Sequence, residues 1–311
     1  MKSDRRIEWL LQDEQPAVRY LTLIDLLDRS PSDSEALETH AKIPDRGWAN
    51  SILQHQDPKG TWSSGFYQPK YLATNWQLLV LSDLGLTVET PGVKKACDLY
   101  FSEVSGPKGC LGGSGSETCI TGNLVRMMIR FCYPDDSKIS SALTWLVNAQ
   151  KEDGGWQCFP RKYGTLDCWE ALAAFNTLPR DRWTRSIKRS TERGAEFYLE
   201  HELHREGRER YEPWFRFHYP SHYYYDLLVG LDVLTSLGYS DDRRMRKAIQ
   251  ILKEKQLPDG TWAVDAAHPD LAPGADYSLR KPTKPLILEE PGKASKWITF
   301  LALRVLKRIE S

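Results

Sequence analysis

Gln150-Lys151-Glu152-Asp153-Gly154-Gly155-Trp156 decides how this chain is read, because the same Q-x3-G-x-W phrase stands at Gln56-Asp57-Pro58-Lys59-Gly60-Thr61-Trp62 and at Gln256-Leu257-Pro258-Asp259-Gly260-Thr261-Trp262. Self-similarity at long, regular spacing marks a fold built by repetition. Midway between the full copies lie worn ones, Ser105-Gly106-Pro107-Lys108-Gly109 and His204-Arg205-Glu206-Gly207. The five glycines, from Gly60 to Gly260, step by 49, 45, 53 and 53 residues. Before each phrase comes a segment of helical periodicity, such as Ser137 to Gln150 with Ile139, Leu143, Leu146 and Val147 on one face. Glycine then allows the positive φ that ends a helix, the Gln side chain is placed to bond exposed carbonyls there, and the Trp folds back as an apolar plug. The phrase therefore reads as a structural clasp, not as a catalytic site.

After each turn a more apolar segment follows: Leu72 to Leu86, Thr118 to Tyr133, Leu166 to Leu178, Ser221 to Tyr239 and Ala294 to Ile309. The preceding segments carry the charge, as Arg243 to Gln256 does with Arg243, Arg244, Arg246, Lys247 and Lys253. Arg5 to Leu11 and Ala17 to Leu27, separated by the helix breaker Pro16, supply a sixth pair. The expected fold is all-α, a closed (α/α)6 toroid with inner helices starting near residues 17, 72, 118, 166, 221 and 294. No Ser/Gly linker interrupts the repeats, so residues 1–311 read as a single domain, with 1–44 completing the ring and 263–293 forming a long Pro- and Gly-rich loop before the last inner helix.

Lys and Arg number 42, and so do Asp and Glu, so the formal net charge is zero and nothing draws the protein generally to nucleic acid. The start, Met1-Lys2-Ser3-Asp4-Arg5-Arg6, lacks the apolar core of a signal peptide, and no apolar run approaches membrane-spanning length. A cytoplasmic location is expected. Six cysteines in such a chain argue against a disulfide framework and leave metal binding, catalysis or packing.

The clasps resemble the QW motifs of the α/α-toroid superfamily that includes squalene and oxidosqualene cyclases and protein prenyltransferase β-subunits, and the repeat covers essentially the whole chain. The resemblance implies a central apolar cavity and an isoprenoid-like ligand. Class II cyclases protonate an alkene with a D-x-D-D motif, which is absent from this sequence. Asp135-Asp136 and Asp241-Asp242 stand where acids cap helices. Prenyltransferases hold zinc with an Asp, a nearby Cys and a later His that opens an inner helix; here Asp167-Cys168 and His222 are the partial match, with Asp and Cys adjacent rather than one residue apart.

Cys119 begins an inner segment one repeat before Cys168, and Cys158 lies two residues past the clasp Trp156. In a closed ring such positions share one mouth, so Cys119, Cys158, Cys168 and His222 are a candidate zinc set, with Cys110 as a substitute ligand. Core packing of the cysteines and a redox or nucleophilic Cys are the other readings. Cys97 and Cys132 read as core residues. Trp76, Trp169, Tyr223, Tyr224, Tyr225 and Trp297 are candidate pocket residues, able to shape an apolar site or to stabilise a cation. Asp226 and Asp232 are candidate catalytic acids. No diphosphate-binding basic cluster stands out. The functional expectation is a prenyltransferase- or cyclase-like protein, with zinc-dependent prenyl transfer as its reaction; the alternative is a non-catalytic ligand-binding or interaction scaffold of the same fold.

Overall fold

The computed structural model describes residues 4–63, 65–103, 111, 117–133, 136–207, 210–267 and 287–311. The worn clasp at Gly109, the substitute ligand Cys110, Asp135 and most of the long loop (268–286) lie outside the described residues. Within those residues the chain is all-α; extended pairing is limited to isolated bridges such as Trp156 with Thr165. Two compact units are formed, one from Met1–Tyr100, Phe217–His222 and Glu254–Ser311, the other from Phe101–Arg216 and Tyr223–Lys253.

In the first unit, α1 (Arg5–Leu10), α2 (Pro16–Leu21), α3 (Ser34–Ala41), α4 (Gly47–Leu53), α5 (Thr74–Asp83) and most of α6 (Pro91–Glu103) come from the N-terminal third. The second unit contains α7 (Thr118–Arg130), α8 (Ser137–Ala149), α9 (Glu170–Thr177), α10 (Arg185–Glu200), α11 (Leu227–Ser236) and nearly all of α12 (Arg246–Glu254). The last helix, α13 (Lys296–Glu310), returns to the first unit and packs on α1 and α2. Lys296 Nζ bonds the Trp9 carbonyl at 2.9 Å and Arg304 pairs with Asp25 at 2.7 Å.

The predicted contrast between alternate helices holds. Nine of the ten residues of α5 are buried, against two of nine in α12. In the second unit the buried helices α7, α9 and α11 pack in sequence, α9 touching both others, with α8 and α10 against them. The helix starts differ from expectation, at 74, 170, 227 and 296 rather than 72, 166, 221 and 294. The largest shift has a clear cause. The Asp226 carboxylate accepts the Val229 amide and so caps α11, leaving His222 and the three tyrosines in the approach to the helix rather than in its first turn.

The clasps repeat one geometry. Gln56, Gln150 and Gln256 each donate Nε2 to the carbonyl of the glycine four residues on, at 2.9, 2.7 and 2.8 Å, and those glycines have φ of +97°, +91° and +87°. Gln56 and Gln150 also reach across to the next helix, at Gly92 O and Ser190 O. Trp62 and Trp156 donate their indole N–H back to the carbonyl ten residues earlier, Ile52 and Leu146. The Trp62 and Trp262 amides donate to the threonine hydroxyls of Thr74 and Thr299 on the following buried helix. The Trp62 clasp thereby ties a flanking helix, a turn and a buried helix together.

Candidate metal centre

Three local features bring sulfur to one place in the second unit. Cys119 is the second residue of α7. Cys158 lies in the turn leaving the Trp156 clasp, which is pinned where Thr165 N donates to Trp156 O at 2.9 Å. Cys168 stands two residues before α9. The helices α7 and α9 are in backbone contact because Gly122 has no side chain; a Cβ there would lie 2.5 Å from the Glu170 carbonyl carbon.

Cys158 is the hub. Its sulfur lies 2.7 Å from that of Cys119 and 3.5 Å from that of Cys168, and it accepts the Cys119 backbone N–H at 3.2 Å. The Thr118 hydroxyl is 3.3 Å away. Hydrogen bonds from the thiols of Cys119 and Cys168, aided by Thr118 and the Cys119 amide, hold the Cys158 thiol well below its ordinary range. The donating thiols move the other way: bonding to Cys158 and burial push Cys119 and Cys168 up.

Two carboxylates attend the sulfurs. Glu117, the N-cap residue of α7, makes no capping bond; its Oε2 lies 3.8 Å from Cys119 Sγ. The ligand atoms of Glu117, Cys119 and Cys158 all lie within 4.8 Å of one another, a group able to hold a metal ion. Burial, then the charge of Cys158, raises the Glu117 pKa. Glu170, in the first turn of α9, is completely buried, and both of its oxygens lack a hydrogen-bond partner among the described residues. Its pKa is raised well above the carboxylate range, by desolvation first and by Cys158 second, with Arg126 opposing. An uncompensated buried carboxyl costs free energy unless a cation or donor satisfies it. Sulfur and carboxylate donors of this kind suit zinc.

His222 belongs to the first unit. It has a φ of +44°, and its ring stands edge-on to Trp76 at 4.9 Å and beside Tyr71 at 6.0 Å. The aromatic candidates divide likewise. In the first unit Trp76 donates its indole N–H to Tyr67 O at 2.7 Å, and Trp297 stacks on Tyr219 with centroids 4.3 Å apart. In the second unit Trp169 lies under the Arg126 guanidinium at 4.7 Å, Tyr225 donates its hydroxyl to Leu203 O at 2.8 Å, and Tyr223 and Tyr224 are half-buried. Asp226 is buried at the α11 cap, and Asp232 is half-buried on that helix. Asp167 accepts the Trp214 indole N–H at 2.7 Å. Cys97 is buried in α6, and Cys132 is exposed after α7 rather than in the core. Sequence reasoning missed Glu117 and Glu170, since an acid at a helix start ordinarily reads as a complement to the helix dipole.

No family model matches the chain, and no curated protein matches it. Among solved structures it is similar to a protein from Actinoplanes, at 14% identity over 99% of this chain and 98% of the other, with a TM-score of 0.51. It is also similar to the type II terpene cyclase MstE from Scytonema without ligand, at 15% identity over 96% and 87% of the two chains, TM-score 0.46. A variant of that cyclase in complex with its product, merosterolic acid A, aligns at 16% identity over 98% of each chain, TM-score 0.46. Within the described residues the fold class is all-α. At these identities the likeness is one of fold. No helix among the described residues is long and apolar enough to cross a membrane.

Proposed function

We propose that this chain is an isoprenoid-handling protein of the α/α-toroid class whose working centre is a zinc–thiolate site, with transfer of a prenyl group as its reaction. The observation that carries this reading is the cluster at Cys158, where two further thiols lie within 3.5 Å and a carboxylate completes a metal-binding group. Cys119, Cys158 and Cys168 are the proposed sulfur ligands. Glu117, at the N-cap of α7, offers a carboxylate donor beside Cys119 and Cys158. Zinc at this place supplies positive charge that keeps coordinated thiols ionised at neutral pH.

The chain's own residues contribute holding and orientation. The Cys119 N–H and the Thr118 hydroxyl both lie against Cys158, fixing its sulfur, and Glu170 is a buried carboxyl whose ionisation a divalent cation would favour. Within the second unit, Trp169, Tyr223, Tyr224 and Tyr225 are the proposed apolar lining for an isoprenoid-like ligand, and Asp226 and Asp232 are its candidate acids. Protonation-initiated cyclisation is not part of the proposal, because the D-x-D-D motif is absent.

Metal analysis of the purified protein tests the reading, together with mass spectrometry of any apolar molecule that co-purifies. One zinc per chain is expected, and Cys168→Ser should lose metal and thermal stability together, since structural zinc supplies on the order of 10 kcal/mol. A parent protein without stoichiometric metal contradicts the proposal. The non-catalytic alternative is a structural ion at the same place, held by the group of Glu117, Cys119 and Cys158. Cobalt-substituted protein separates the two. A spectrum that shifts on adding a small thiol marks an open, reactive position, and an indifferent one marks a structural ion.

A further inference from the structure

We infer that the cluster is also a site of reversible oxidation, at which a hydroperoxide joins Cys119 and Cys158 in a disulfide. The inference goes beyond the zinc reading and stands on the sulfur geometry alone. The Cys119 and Cys158 sulfurs are 2.7 Å apart, already closer than two unbonded sulfurs pack, and both residues are half-buried, within reach of a small oxidant. Cys168 is buried and farther from Cys158, at 3.5 Å, so it is the poorer partner. The remaining described cysteines lie elsewhere, Cys97 buried in α6 and Cys132 exposed at the other end of α7.

The Cys158 sulfur attacks one peroxide oxygen, breaking the O–O bond to form a sulfenic acid and releasing an alcohol or water. The Cys119 sulfur then displaces the hydroxyl from that sulfenic acid, forming the S–S bond and a second water. The two thiol protons leave in those products. The sulfurs lose two electrons in total and the peroxide oxygens gain them. A thiol reductant reverses the step by exchange. Metal and disulfide compete for the same two sulfurs, so oxidation ejects the ion and the reduced cluster takes it back.

The test is non-reducing peptide mapping after brief treatment with hydrogen peroxide, on protein as purified and again after metal chelation. Trypsin cleavage at Arg126, Lys151 and Arg161 places Cys119, Cys158 and Cys168 on separate peptides, and fragment ions distinguish Cys119 from Cys110 on the same one. The expected result is a Cys119–Cys158 cross-link in both preparations, loss of two titratable thiols, release of metal from the unchelated sample, and reversal by dithiothreitol. Cys132→Ser should leave the cross-link unchanged. Recovery of Cys158 as sulfinic or sulfonic acid without a cross-link would overturn the inference, as would a dominant Cys158–Cys168 link or one between chains. Protein that carries no stoichiometric metal as purified and still forms the link would sink the zinc reading and leave this one standing; stoichiometric zinc as purified, with no link in either preparation, would do the reverse.

Discussion

At the scale of single residues, the glutamine and tryptophan of each clasp do separable work from the sulfurs beside one of them. Gln150 donates to Gly154 O and Ser190 O and accepts from Ser190 Oγ and Arg193, so one side chain closes a turn and ties two helices. Trp262 is fully buried in the unit that does not hold the cysteine cluster. Trp262→Ala should therefore cost about 3 to 5 kcal/mol in chemical denaturation while leaving metal content at the parent value. A variant that keeps its stability and loses metal would show that the clasp acts on the site and not on the fold. The clasp was legible in sequence because its chemistry is local: a glycine, a glutamine four residues before it and a tryptophan two after. Glu170 was not, because what sets it apart is a buried carboxyl with no hydrogen-bond partner among the described residues, and that depends on α7 approaching α9 at Gly122.

The elements carry the site by their starts and by how closely they pack. Gly122→Ala sets a methyl against the Glu170 backbone, which cannot give as a flexible side chain would. The expected cost is about 1 to 3 kcal/mol of stability, with weaker metal binding as α7 is pushed from α9 and Cys119 from Cys168. Unchanged affinity in a competition with a metal indicator would contradict that coupling. The clasp turns also have a pH signature. Hydrogen bonds from the side chain and backbone N–H of Thr61 to Asp57, and likewise of Thr261 to Asp259, lower both carboxyl pKa values. A lowered folded pKa gives stability that is full above the unfolded value near 3.8 and is lost as pH falls through the folded one. The Asp57→Asn/Asp259→Asn double variant should melt below the parent at neutral pH, with the gap closing under acid; a gap that does not vary with pH would refute the assignment. Helix existence and the charge contrast were readable from periodicity. The starts were not, since the Asp226 cap and the coil ahead of it place α11 six residues later than the apolar run suggests.

For the whole molecule, the repeat in the sequence predicts a closed ring; within the first unit α13 packs on α1 and α2, and within the second α7, α9 and α11 follow one another. Reading the mouth of such a ring, the sequence grouped Cys119, Cys168 and His222 by counting repeats and added Cys158 from the clasp turn; in the second unit the Cys158 sulfur lies 2.7 Å from that of Cys119 and 3.5 Å from that of Cys168. Counting could not supply the carboxylates, because no repeat marks them. The central claim is that these sulfurs hold zinc. X-ray absorption at the zinc edge of the purified protein tests it most directly: the account predicts one zinc per chain, with sulfur scatterers at about 2.3 Å and one oxygen or nitrogen at about 2.0 to 2.2 Å. A chain without stoichiometric zinc, or zinc surrounded only by oxygen and nitrogen, would contradict it.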